Sequence, residues 1–357
     1  MFEGFEVQDV DTGEVTVHLR VGGTGPPLLL LHGAPQTHVM WHAVAPRLAE
    51  HFTVVAADLR GYGASSTPGS APDHEPHSKR AMARDAVAVM AHLGFDAFGV
   101  AGHDRGGRVA YRLALDHPER VSRVAVLDVL PTLEHYRRAD AAFGSSYWHW
   151  LFLAQPFPVP ETLIAGDPDY FFFGREWKDR AVPPPFFTDE ALAAYRAAAL
   201  RPAFAHALCE DYRAGATFDV AADEADAGTT RIRCPLLVLW GTRELPVPAP
   251  RPRRHLAGLV RRRARGARGQ RPLPGRGAAR GGPARAADVL HGRGGHVLAL
   301  AHGVQPSGQL RPGGDVQLAE DAVQVRADGA RRQEQPLSDL LVRQALYGQL
   351  GDLQLLR

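Results

Sequence analysis

Four short apolar runs, each ending at a glycine or an acidic residue and separated by stretches of helical periodicity, constrain this chain most. Leu28–Leu29–Leu30–Leu31 is continuous and apolar, as a strand buried on both faces must be, and His32–Gly33–Ala34–Pro35 stops it. Val54–Ala57, Phe98–Ala101 and Val124–Leu127 repeat the pattern and end at Asp58, Gly102 and Asp128. Between them, Met40–Glu50, Lys79–Leu93 (apolar at Met82, Ala86, Val89 and Leu93) and Gly106–His117 carry helical spacing. Strand and helix in alternation predict an α/β chain: a mostly parallel sheet with helices on both faces. Residues 1–130 form the first part of that core. From 131 to 228 the rhythm gives way to Pro, Phe, Trp and Tyr with helical patches such as Glu190–Leu200, which reads as a helical insertion covering the C-terminal edge of the sheet. One more core strand, Leu236–Trp240, lies in 229–250.

The remaining composition excludes whole classes. Two cysteines, Cys209 and Cys234, are too few for a disulfide framework. Met1–Asp11 is acidic and unlike a signal peptide, and no window reaches the roughly 18–20 apolar residues of a membrane span. A cytoplasmic protein without a membrane partner is expected.

Gly102–His103–Asp104–Arg105–Gly106–Gly107 sits where a strand must turn sharply into a helix. Small residues on both sides permit that turn and thrust the central side chain above the sheet edge, the G-x-S-x-G arrangement with Asp in place of Ser. A carboxylate there suits attack on an sp³ carbon bearing a leaving group, giving an alkyl ester that water can cleave. The plainer reading, Asp104 as a helix cap, needs nothing but the residue type. Arg105 and Arg108, three apart on the first turns of the helix, point the same way and suit a carboxylate ligand; a salt bridge is the alternative for Arg108.

Residues 1–250 resemble the haloacetate (fluoroacetate) dehalogenases of the α/β-hydrolase superfamily. The resemblance rests on H-G-A-P-Q-T-H-V-M-W at 32–41, D-L-R-G-Y-G at 58–63, G-H-D-R-G-G-R at 102–108, L-D-V-L-P at 127–131, Y-W-H-W at 147–150 and C-E-D-Y-R-A-G at 209–215. It implies an α/β-hydrolase fold with a helical cap over 131–228, and Asp104 as the nucleophile. It makes Asp128 the carboxylate that orients a catalytic histidine, and Arg105 and Arg108 the substrate-carboxylate clamp. His149, Trp150 and Tyr212 become the halide pocket; by residue type alone, Trp150 and Tyr212 read as packing. The implied substrate is a small haloacid, with no metal or organic cofactor, and a homodimer is compatible with the resemblance. Ala34 departs from the family, which usually has Phe after H-G; backbone donors from this loop survive and one wall of the pocket shrinks. Epoxide hydrolysis, which shares the Asp nucleophile, is the alternative; it expects a pair of cap tyrosines and leaves both arginines without work.

The family also places a histidine on a loop beyond the last strand, in an S-G-H-F-L-type motif. Here that stretch reads Gly269–Gln270–Arg271–Pro272–Leu273–Pro274. Residues 251–300 consist only of Arg, Gly, Ala, Pro, Leu, Val, His, Gln and one Asp, all of which have codons starting with G or C. Sliding the frame by one base allows the stretch through Ala278 to read S-G-H-F-L-A-E-E, with the histidine spanning Pro272 and Leu273. The expectation is therefore that 251–357 is out of frame, that part of the core is missing or disordered, and that the chain is inactive or limited to a single turnover. Two literal readings compete. The arginines between Arg251 and Arg293 could serve nucleic acid, although the stretch is broken by proline and has no aromatic for stacking; no nucleic-acid partner is expected. Gly294–Gly295–His296–Val297–Leu298 imitates the missing motif, so His296 could replace the histidine.

Overall fold

The computed structural model describes residues 1–174 and 187–241, together with the backbone of 297–298 and 324–327. Strands β1 (Glu6–Asp11) and β2 (Thr16–Gly22) form an antiparallel hairpin, and β2 runs antiparallel to β4 (Thr53–Ala57). Strand β3 (Pro27–Leu31) lies parallel between β4 and β5 (Phe98–His103), and β6 (Val121–Leu127) and β7 (Leu236–Gly241) continue the parallel part. The spatial order is β1-β2-β4-β3-β5-β6-β7. Leu29, Leu30, Val54, Val55 and Ala56 are fully enclosed, which is why the central strands read as unbroken apolar runs rather than alternating ones.

Helix α1 (Ala45–Leu48) is a single turn, where periodicity predicts one helix from Met40 to Glu50. A 3₁₀ turn over His38–Trp41 precedes it, and Pro46 explains the division. Proline lacks an N–H and crowds the preceding turn, so the helix restarts with Pro46 in its first turn. Helix α2 (Lys79–His92) is capped by Ser78, whose side chain accepts from the Ala81 N–H. Helix α3 (Arg105–Asp116) lies against β3, β5, β6 and α2.

Between β6 and β7 every described element is helical. These are α4 (Thr132–Arg137), α5 (Ala141–Ser146), α6 (Trp148–Leu153), α7 (Val159–Gly166), α8 (Asp189–Ala199), α9 (Phe204–Ala214) and α10 (Val220–Asp226), with π-helical turns at Tyr170–Gly174 and Gly215–Asp219. Among the described residues no helix is long and apolar enough to cross a membrane.

The sheet extends further than the sequence predicts. Two short strands, β8 (Val297–Leu298) and β9 (Gln324–Ala327), pair with β7 in parallel, Leu236 opposite Val297 and Val238 opposite Gln324. An open edge offers unpaired backbone groups to any extended segment, whatever its composition. The rest of 251–357, His296 and the expected out-of-frame stretch included, lies outside the described residues.

Polar contacts seat the insertion on the core. Tyr111 donates to Asp223 at 2.8 Å, Arg112 pairs with Asp226 at 2.6 Å, and the His74 ring meets Glu210 at 2.9 Å. His77 lies at this junction, 1 % exposed, with its Nε2 unpartnered. Burial pushes its pKa down to about 4; Glu210 and Asp211 pull upward, and His206 and Arg60 push down with burial. A depressed imidazole pKa means that the His77 ring is neutral in both the folded and the unfolded chain above pH 6.5. Between pH 6.5 and about 4 only the unfolded chain takes the proton, so stability is lost as pH falls through that window. The unfolding free energy from urea titrations over this range should fall in wild type, by an amount on the order of 3 kcal/mol at most for this group. In His77→Gln the slope should shrink by about one proton's worth.

Candidate active site

The turn between β5 and α3 is as tight as its glycines suggest. Asp104 has φ 47° and ψ −114°, a left-handed backbone that few non-glycine residues adopt. A Cβ on Gly102 would stand 2.2 Å from the Gly106 carbonyl oxygen, and one on Gly106 would stand 2.4 Å from that of Leu31. Both obstacles are backbone, so neither can swing aside. Gly106→Ala should cost about 3 kcal/mol or more in urea denaturation, since the helix start must move off the sheet.

The side chain of Asp104 emerges beneath the loop after β3. The Ala34 N–H donates to its Oδ2 at 3.1 Å, and a Cβ on Gly33 would meet its Cβ at 2.7 Å. The loop is locked by His32, whose Nδ1 donates to the Gly33 carbonyl at 2.7 Å while its Nε2 accepts from the Leu59 N–H at 3.0 Å. Both nitrogens are satisfied by the neutral ring, and burial holds its pKa down. The Gly106 N–H bonds the His32 carbonyl at 2.8 Å, so loop, nucleophile turn and helix form one unit. Asp128 stands next door. His103 and Leu127 are paired across β5 and β6, Asp104 and Asp128 are the next residues of each strand, and Asp128 also has a left-handed φ, 49°. Asp128 is exposed, and its N–H donates to the Leu239 carbonyl at 2.8 Å.

The two arginines differ in a way the sequence does not show. Both are buried, 1 % exposed. Arg105 carries the salt bridge: Nε and Nη2 grip the two Asp211 oxygens at 2.8 Å each, and Nη2 also reaches the Asp211 carbonyl at 3.1 Å. Arg108 has no carboxylate partner among the described residues. Its Nη1 donates to the Leu130 carbonyl at 2.7 Å, its Nη2 to His135 Nδ1 at 2.7 Å, and its buried Nε to nothing. Burial, reinforced by the charge of Arg105, lowers its pKa. The nearby charge of Asp104 pulls upward without a bond, and a buried cation to which no carboxylate is bonded is expensive.

Arg105 and Arg108 share one cluster with the aromatic residues of the insertion. The Arg108 guanidinium lies 4.6 Å from the Trp150 ring centre, and that of Arg105 lies 4.0 Å from the Tyr212 ring. Trp150 and Tyr212 meet edge to face at 5.7 Å, with His149 at 6.1 Å from Tyr212. Burial raises the Tyr212 pKa, which keeps the phenol protonated as a donor. The structure therefore gathers Arg105, Arg108, His149, Trp150 and Tyr212, with Asp104 and Asp128 at the adjoining strand ends.

Sequence reasoning missed His135 and Asp211. The His135 imidazole is held well below its usual pKa, by burial first and then by Arg108 and Arg105. Its neutral Nδ1 serves as the acceptor that fixes Arg108. No motif marks it; only the helix following Pro131 brings it there. One further group, His18, His38 and Asp58, has metal-ligand chemistry. Its carboxylate is engaged otherwise: Asp58 Oδ1 accepts from the His38 N–H at 2.6 Å and Nδ1 at 2.9 Å, and Oδ2 accepts from the Ala64 N–H at 2.9 Å. Burial alone would raise the Asp58 pKa, but the two bonds from His38 and the nearness of the His38 and His32 rings bring it to about 2. The group clamps the loop after β4.

Residues 26–265 match the family model for the alpha/beta hydrolase fold. A fluoroacetate dehalogenase from Burkholderia sp. is 50 % identical over 242 residues, 68 % of this chain and 79 % of that protein. A soluble epoxide hydrolase from Corynebacterium sp. (strain C12) is 32 % identical over 244 residues, 63 % of this chain and 77 % of that protein. Among solved structures, ALR0039, a putative alpha/beta hydrolase from Nostoc sp. PCC 7120, superposes with a TM-score of 0.69 at 50 % identity, covering 73 % of this chain and 89 % of that one.

Proposed function

Because the chain belongs to the alpha/beta hydrolase fold family and is a hydrolase, we propose that it acts on haloacetates, displacing halide through an ester of Asp104. The observation that carries this reading is Arg108, a buried cation with no carboxylate partner among the described residues, in one cluster with the donors of the insertion. A haloacetate supplies the missing anion. Its carboxylate takes Arg108 and the remaining edge of Arg105, which leaves its α-carbon facing Asp104. An Asp104 oxygen attacks that carbon, the C–O bond forms as the carbon–halogen bond breaks, and the halide leaves with the electron pair. The indole N–H of Trp150, the phenol O–H of Tyr212 and the His149 ring stabilise the departing ion. Release of glycolate, by addition of water to the ester carbonyl with loss of a proton to a base, would restore Asp104; the resemblance gives Asp128 the task of orienting that base, a histidine whose expected place, 269–274, lies outside the described residues.

An epoxide is neutral and leaves Arg108 uncompensated. Halide release from chloroacetate and fluoroacetate, run beside diol formation from styrene oxide, separates the two substrate classes. The expected result is halide from the haloacids and no diol. Diol formation at a comparable rate would replace this reading with epoxide hydrolysis. The number of halide ions released per chain reports on the second half-reaction: one marks a stalled ester, many a complete cycle.

A further inference from the structure

Asp211 binds more than Arg105. Its carboxylate also takes the Nζ of Lys79 and, at 2.6 Å, the hydroxyl of Tyr62. Lys79 is the first residue of α2 and is 1 % exposed. Its Nζ lies 3.5 Å from Asp219 Oδ2 as well, and its N–H donates to Asp219 Oδ1 at 2.9 Å. Arg105, Lys79, Asp211 and Asp219 are all less than 4 % exposed. Solvent screening is therefore weak, and each unit charge acts over several ångströms.

The charge balance of this cluster decides what Arg105 offers a ligand. Paired with Asp211 alone, Arg105 would be neutralised and would attract an anion poorly. Lys79 offsets Asp211, so the trio of Arg105, Lys79 and Asp211 keeps one net positive charge. We propose that Lys79 is a specificity-determining residue which never touches substrate, holding the site cationic so that it selects haloacids over neutral alkyl halides. Burial raises the Asp219 pKa, and in either charge state of Asp219 the loss of Lys79 removes one positive charge from the cluster. Asp211 complements Lys79 by orienting the guanidinium. Its two-point grip turns Nε and Nη2 of Arg105 away, leaving Nη1, which makes no hydrogen bond among the described residues, for the ligand. The inference rests on the haloacetate reading above.

The test compares chloroacetate with chloroacetamide, which is nearly the same shape and uncharged. The readout is the rate at which each forms the Asp104 ester in the full-length chain, followed by peptide mapping. That step needs only Asp104 attack and chloride departure, with no proton transfer. Wild type should prefer chloroacetate; Lys79→Met should reduce the preference about tenfold or more. Asp211→Asn raises the net charge and should retain the preference, although its absolute rate falls as Arg105 loses its anchor. Adding Lys79→Met to Asp211→Asn should lower the preference again by a similar factor, and this pair carries the test should the single Lys79 variant not fold. A merely structural role for Lys79 would slow both reagents alike. Equal preference in all variants overturns the inference while the proposed function stands; absence of Asp104 labelling in wild type overturns both.

Discussion

Asp104→Asn should lower halide release from chloroacetate by about four orders of magnitude or more, with the fold intact. Asparagine matches aspartate in size and, after glycine, is among the residues that best tolerate a left-handed backbone, so the φ of 47° is preserved. Its amide oxygen can still accept from the Ala34 N–H. What is lost is the anionic oxygen that attacks carbon; Asp128, at the next strand end, is assigned to orienting the base rather than to attack. The thermal midpoint should move by only a few degrees, and that contrast separates chemistry from folding. Both quantities come from one preparation, by halide electrode and by thermal denaturation.

Arg108→Met should cost two to three orders of magnitude, roughly, in kcat/KM for chloroacetate while changing stability by less than about 2 kcal/mol. Desolvating the guanidinium opposes folding, and three neutral contacts, the Leu130 carbonyl, His135 and the Trp150 face, return part of that cost. Methionine removes the buried charge and fills similar volume, but leaves the Leu130 carbonyl and His135 Nδ1 unsatisfied, at about 1–3 kcal/mol each before relaxation. These terms oppose one another. Substrate affinity has no such offset, because the anion loses the cation that the site supplies. Chloroacetamide should lose far less than chloroacetate, and urea denaturation of the same variant checks the stability half of the statement.

The parallel half of the sheet was legible because burial on both faces writes itself as unbroken apolar runs, as at Leu28–Leu31. The β1–β2 hairpin was not. In β1 Val10 alone is enclosed while Glu6, Val7, Asp9 and Asp11 are exposed, and in β2 Val17 and Leu19 are enclosed between polar neighbours, so the hairpin hides in an acidic-looking start. The turn around Asp104 was legible since its glycines answer to backbone oxygens within a few residues or on the next strand. The partners of the arginines were hidden by distance along the chain. Asp211 lies 106 residues from Arg105 and 132 from Lys79, and neither interval has a pattern. Sequence reasoning therefore gave the salt bridge to Arg108 as the bland alternative, whereas the structure gives it to Arg105. Trp150 and Tyr212 were singled out only by the family resemblance, since packing and donor roles use the same residue types.

The most direct test of the account is peptide mass mapping of the full-length chain after incubation with chloroacetate, with Asp104→Asn treated alongside. The account predicts a carboxymethyl ester on the Asp104 peptide, formed in step with the first chloride released and absent from the variant. Chloride release with the Asp104 peptide unmodified at every time point, or with equal release by Asp104→Asn, would contradict it.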